Sequence, residues 1–254
     1  MNFKKYIKKE YISTLLSLPI LILIWHLIHI KLNSKIVPSP FEVFLNIPEV
    51  LQDADTSINI TSSVKRILIS ILISVVFGTT IGVAMAFNKW VDRLLSPIIY
   101  LTYPIPKLAL LPIIILIFGL GEISKIIMIV SILIFQIITS VRGAVLDVPK
   151  SSYTYFKILG IGKVKTFWHI VTPTIIKQLF VTLKIATGTA ISVLFFTETY
   201  GTKYGGLGYY IMDMFQMANY VNMYTGILLL SILGFVIFIS LDILERIITP
   251  WNIK

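Results

Sequence analysis

The chain has 254 residues, 56% hydrophobic and 13% charged, with a net charge of +10 and no cysteine. A water-soluble domain carries about a quarter charged residues, so this composition leaves too little polar surface for a globule in water, and the solvent is partly lipid. Disulfides, thiolate zinc sites and iron–sulfur clusters are excluded, and the Lys and Arg excess reads as the topology signal of membrane loops rather than as a nucleic-acid surface.

A helix that crosses a bilayer needs about 20 mostly apolar residues. The first such run covers about 12–30, behind Lys4, Lys5, Lys8 and Lys9. It is long for the apolar core of a signal peptide and no small-x-small cleavage site follows, so it is taken as a retained helix. Residues 31–63 are mixed and polar, with Val37-Pro38-Ser39-Pro40 fixing an extended start. Further spans are expected at about 66–87, 98–118, 123–141, 175–198 and 224–247. The fold class is therefore an all-α membrane protein, a single domain over 1–254 with about six transmembrane helices. Pro104, Pro106 and Pro112 each remove a backbone donor from the third span, which should be kinked or begin as a re-entrant segment.

Loop charge sets the expected topology. The N-terminal arm is basic, 31–63 is net negative, and 142–174 carries Arg142, Lys150, Lys157, Lys163 and Lys165 against Asp147. Both termini and the 142–174 loop are thus expected in the cytoplasm. Lys65 and Arg66, at the outer end of the second span, run against that rule.

In the second span Ser70, Ser74, Gly78, Gly82 and Ala86 fall every four residues, on one helix face where another backbone can approach closely. The partner is either a second copy or, with more weight, a helix of the same chain. Thr182, Ala186 and Ala190 repeat the pattern more weakly in the fifth span. Ionisable groups in the spans are few: Lys107 among the prolines, Lys184 poised to snorkel, Glu198 and Asp242 near helix ends. Neither a proton-relay spacing nor a metal-ligand spacing among His26, His29 and His169 is present. A coupled carrier or an intramembrane enzyme would need such groups. Tyr200, Tyr204, Tyr209, Tyr210 and Phe215 fit an aromatic belt near the outer interface, or less readily a contact for a ring-containing cargo.

The 142–174 loop is long for a connection between spans. Within it Ser151 to Leu159 reads as an amphipathic helix, capped by Ser151 or Ser152, with Tyr155, Phe156 and Leu159 on its apolar face. Gly160 and Gly162 then break it. Such a helix could lie on the anionic leaflet or insert into a groove on a partner.

At this loop the sequence resembles the permeases of binding-protein-dependent ABC importers. Their hallmark is E-A-A, three residues, G, nine residues, I-x-L-P. Gly160, Ile170 and Pro173 match its spacing, while Thr154, Tyr155 and Phe156 replace the triplet and Thr172 the Leu. Further blocks resemble the nitrate/sulfonate/taurine branch: Val37-Pro38-Ser39-Pro40, the stretch Tyr103-Pro104-Ile105-Pro106-Lys107 through Pro112, Phe118-Gly119-Leu120-Gly121-Glu122, and Gly205-Gly206-Leu207-Gly208-Tyr209.

The resemblance implies a MetI-like ABC importer permease fold in the inner membrane, with a cytoplasmic coupling helix and no catalysis of its own. It implies a second permease copy as a homodimer partner, two cytoplasmic ATPase subunits and an extracytoplasmic solute-binding protein. ATP and Mg would be bound by the ATPase, and no cofactor by this chain, which lacks G-x-x-x-x-G-K-[ST]. The ATPase-coupling residues would be Thr154, Tyr155, Phe156, Leu159, Gly160, Ile161, Gly162, Ile170 and Pro173. Ser74, Gly78, Gly82 and Ala86 would serve helix packing.

Overall fold

In lipid, backbone N–H and C=O groups have only one another for partners, so a spanning chain must be helical or a closed barrel. The computed structural model, which describes residues 3–102, 104–201 and 205–250 with side chains from Ser17 onward, is helical throughout its regular elements. Tyr103 and Tyr204 lie outside the described residues. In chain order the elements are α1 (Phe3–Leu32), α2 (Pro40–Gln52), α3 (Ala54–Phe87), α4 (Lys89–Thr102), a 3-10 turn (Lys107–Leu110), α5 (Leu111–Phe118) and α6 (Glu122–Leu146). Then come α7 (Lys150–Ile158), α8 (Lys163–Thr166), a π-helical turn (Phe167–Val171), α9 (Thr172–Thr199), α10 (Leu207–Gln216) and α11 (Tyr220–Ile248).

Four segments are long and apolar enough to cross a bilayer: α3, α6, the continuous 163–199 rod and α11. A further apolar pair, α4 and the 107–118 segment, meets at 88° and forms either a broken span or a re-entrant loop. Pro104 and Pro106 sit at that break, as their missing donors led us to expect. The first expected span lies within α1, whose described apolar part is Ser17–Leu32.

Several boundaries differ from the expectation. Residues 40–52 form a helix, since Ser39 and Glu42 close a reciprocal capping box and Pro40 occupies the first turn. The second span starts at Ala54 rather than near 66, capped by Asp53, which accepts from the Thr56 amide at 2.9 Å and the Thr56 hydroxyl at 2.8 Å. Hydropathy hides this extension because its buried residues, Thr56, Asn59 and Ser63, are polar. No long loop follows α3: Asn88 ends it and starts α4, accepting from the Trp90 amide at 2.9 Å.

The core is the packing of α3, α6 and α9. Ser74, Gly78 and Gly82 are buried on α3 facing α6, while Ala86 is half-buried against the same core. A Cβ on Gly82 would come within 2.9 Å of the Ile138 carbonyl oxygen, and one on Gly78 within 2.8 Å of Ile137 Cγ2. The glycines thus let two backbones touch within one chain. On α9, Ala186 and Ala190 are buried. Thr182 meets Ser140 of α6 at 2.5 Å, and Gln178 donates to the same hydroxyl at 3.0 Å. Lys184 bridges to Asp242 at 3.1 Å and Glu245 at 2.6 Å, tying α9 to α11.

Gly82→Ala is expected to destabilise the purified chain by about 1–3 kcal/mol through overpacking against backbone. Gly143→Ala, where an added Cβ meets nothing within 4 Å, should leave the unfolding temperature unchanged or raised. Thermal unfolding in detergent compares the two.

Candidate functional site

At the end of α6, Pro149 turns the chain. The short helix α7 starts at Lys150 with Pro149 in the capping position and no side-chain cap. Neither Ser151 nor Ser152 caps it, contrary to expectation; Ser152 instead donates its amide to the Pro149 carbonyl at 3.0 Å. Its far end is a full Schellman stop. Gly160 takes φ +69, its amide bonds the Lys157 carbonyl at 3.1 Å, and the Ile161 amide bonds the Phe156 carbonyl at 2.9 Å. Gly162 then opens α8, its carbonyl accepting from the Thr166 amide at 3.0 Å.

The faces of α7 divide by burial. Tyr153 is half-buried against the core, and burial raises its phenol above the ordinary value, so it stays neutral at physiological pH. Tyr155, Ile158 and Leu159 are 66%, 76% and 71% exposed, and Thr154 is exposed with its hydroxyl on the Lys150 carbonyl. Two cavities flank the helix. One, of about 650 Å³, lies among Phe87, Tyr153, Ile161, Val164 and Phe167. The other, of about 570 Å³, brings Tyr155 and Phe156 together with Ile170 and Pro173. Of the nine expected coupling residues, these four and Ile161 line the cavities. Thr154, Leu159, Gly160 and Gly162 lie outside them.

Pro173 explains the π-turn before it. A proline inside a helix removes one backbone bond and clashes with the carbonyl four residues back, here that of His169. The wider turn at Phe167–Val171 lets the rod continue through this position, and Phe167 packs on Phe87 of α3 with ring centroids 5.9 Å apart. The α7 segment is thereby joined to three core helices.

At the other end of α6, about 37 Å away at 1.5 Å per residue, lies a polar cluster that the reading of the sequence did not assemble. Arg66 of α3 is 1% exposed. Its Nε donates to Glu122 at 2.7 Å and its Nη2 to the other oxygen of the same carboxylate. Nη1 donates to Glu198 at 2.7 Å and to the Gly205 carbonyl. Glu198, 0% exposed, also accepts from Ser63 at 2.8 Å and from the Gly208 amide at 2.9 Å. Lys125 reaches the Gly205 carbonyl at 3.1 Å, Asn59 accepts from the Gly206 amide at 2.9 Å, and Ser63 from the Leu207 amide at 2.8 Å.

The glycine turn exists for this carboxylate. Gly206 takes φ +111, and a Cβ there would collide with the Glu198 carboxylate. A Cβ on Gly208 would come within 2.6 Å of the Phe195 carbonyl. Arg66 is therefore a buried bridging group, which accounts for its departure from the loop-charge rule, and Glu198 is sealed rather than interfacial. Tyr210, expected in an aromatic belt, is 8% exposed, while Tyr200 at 59% and Phe215 at 53% remain on the surface. The signal available in the sequence was an Arg and two Glu beside apolar spans, Glu122 preceded and Glu198 followed by glycines.

The bundle thus presents an exposed apolar loop helix at one end and an ion-paired glycine turn at the other. The chain belongs to the family described as the binding-protein-dependent transport system inner membrane component, which matches residues 74–254. It is thus an inner-membrane, multi-pass permease subunit of an ABC importer, of a family whose members leave ATP hydrolysis to a partner. It is similar to the taurine transport system permease protein TauC of Escherichia coli (strain K12), at 27% identity over 234 residues, 90% of this chain and 85% of that one. The nitrate import permease protein NrtB of Synechococcus elongatus is 26% identical over 218 residues, 82% and 78% of the two chains. The structure of a bacterial ABC transporter involved in import of the acidic polysaccharide alginate superposes with a TM-score of 0.65 at 17% identity, covering 96% of this chain and 98% of that one, and supports the fold.

Glu198→Gln leaves a buried guanidinium short of charge and is expected to cost about 3–5 kcal/mol. Glu122→Gln acts on a pair whose carboxylate is 57% exposed, so its expected cost is about 1 kcal/mol or less. Equilibrium unfolding of the two variants should separate them clearly.

Proposed function

We propose that two copies of this chain form the translocation pathway for a small solute delivered by an extracytoplasmic binding protein, with α7 seated in a cleft of a separate cytoplasmic ATPase subunit. The observation that carries this reading is the exposed apolar face of α7, with Ile158 at 76% and Leu159 at 71%, on a helix joined at both ends to core spans. An apolar face on a short, firmly stopped helix suits insertion into a protein groove. Both termini and α7 lie in the cytoplasm on this reading, as the basic residues of 142–174 require. ATP and Mg are held by the ATPase, and this chain needs no cofactor.

ATP-driven closure of the ATPase pair would move the two α7 helices, and α6 and α9 would carry that motion to the Arg66 end. The named cargoes of the relatives, taurine and nitrate, support a small anion, a sulfonate or a similarly small precursor as the solute of this chain. Thr154, Tyr155 and Phe156, where the family hallmark has E-A-A, remove its acidic residue and make the ATPase contact more apolar and aromatic. The partner ATPase is accordingly a dedicated one.

The test is ATP hydrolysis in proteoliposomes holding the chain with the ATPase and binding protein encoded beside it. Binding protein should stimulate hydrolysis in the parent, and Leu159→Asp should abolish the stimulation while the chain itself stays folded. Hydrolysis that ignores both binding protein and Leu159→Asp would overturn the coupling assignment.

A further inference from the structure

The Arg66 cluster has two unlike arms. The Glu198 arm is closed: carboxylate and guanidinium are 0% and 1% exposed, and the Gly206–Gly208 turn wraps the carboxylate so tightly that a Cβ at Gly206 would collide with it. The Glu122 arm is open. The same guanidinium holds Glu122 through two hydrogen bonds, yet that side chain is 57% exposed. A screened pair is weak beside a sealed one, because water competes for the carboxylate and lowers the cost of separation.

The position of Glu122 makes this difference consequential. It is the first residue of α6, directly after Gly119-Leu120-Gly121 and the bent α4–α5 pair. Gly119 takes φ +77, Gly121 caps α6 with no side-chain bond, and a Cβ on either glycine would meet nothing within 4 Å. No side chain packs over the two glycines, and the corner is held by the Ser124 hydroxyl, which donates to the Gly121 carbonyl at 2.9 Å. Farther along, Gly78 and Gly82 press α3 against Ile137, Ile138 and Val141. From Glu122 to Ile137 is about 22 Å of helix. The helix α6 is thus clamped by backbone contact in its far half and fastened at its near end by side chains.

We propose that Glu122 and Arg66 are positioning residues of the transport cycle: Arg66 and Glu198 form a permanent lock on the 205–208 turn, and Glu122 is the latch that releases the α5–α6 corner when that end of the pathway opens. Arg66 keeps Glu198 and the Gly205 carbonyl when the latch opens, so no bare charge is left in the core, and Glu122 turns into water. Lys125, also on α6, would move with the corner and exchange the Gly205 carbonyl for solvent. The proposal rests on the importer reading above.

The test uses the full complex in proteoliposomes, built on Ser70→Cys. Ser70 is buried on α3 one turn beyond Arg66, and the chain has no cysteine of its own. A small water-soluble maleimide should label this thiol slowly in the parent. Adding Glu122→Gln should raise the labelling rate about ten-fold by favouring local opening, and raise unstimulated ATP hydrolysis toward the stimulated rate, with thermal unfolding nearly unchanged. Glu122→Asp should restore both values. Labelling that stays at the parent rate, or a rise accompanied by the same loss of stability as Glu198→Gln, would overturn the latch and leave Glu122 a structural residue. If the parent shows no stimulation by binding protein, the importer reading fails, while the labelling comparison still decides the latch.

Discussion

A guanidinium withdrawn from water into a helix bundle must be met by charge and by acceptors, and Arg66 imposes that demand on three other parts of this chain. Glu122 opens α6, Glu198 closes α9 and the Gly205 carbonyl belongs to the following turn, while Ser63, one helical turn before Arg66 on α3, donates to Glu198. Glu198 has no water to turn to, whereas Glu122 is open to solvent. A buried carboxylate without its guanidinium would be more costly than the pair, so the end of α9, the glycine turn and the polar start of α3 come together or not at all.

The opposite end of the bundle is governed by sterics rather than charge. There the glycines of α3 admit the α6 backbone, Phe167 packs on Phe87, and the π-turn lets Pro173 sit inside a continuous rod. Lipid offers no hydrophobic drive for helix association, so close backbone approach and a few interhelical hydrogen bonds must hold the spans. The Ser140–Thr182–Gln178 group and the Lys184 bridges to α11 supply them in the middle of α9. A loop helix with an exposed apolar face is consequently anchored on stiff elements that reach the ion cluster about 37 Å away.

How much of this was legible in the sequence varied with the physics. Long apolar runs exposed the spans and proline chemistry located the break after α4, but α6 runs on to Leu146 rather than ending near 141, and the rod expected at 175–198 begins at Lys163. Spacing by four exposed the Gly78–Gly82 seam, since one face of a helix is a local property. The polar beginning of α3 was hidden, because Thr56, Asn59 and Ser63 are buried against a turn some 145 residues later in the chain. Arg66, Glu122 and Glu198 were visible individually, but their meeting is a tertiary fact that no periodicity encodes. The start of α7 was placed one residue late, and its cap on Ser151 or Ser152 rather than Pro149, because serine was preferred over a proline that fixes the turn by itself.

The central claim is that the exposed face of α7 is the contact for the ATPase. Site-specific photo-crosslinking tests it most directly, with a photoreactive residue replacing Ile158 on α7, and Leu116 on α5, 85% exposed, as the comparison. The account predicts that position 158 links this chain to the ATPase subunit and position 116 does not. Equal yields at the two positions, or no ATPase adduct from position 158 in an assembled complex, would contradict it.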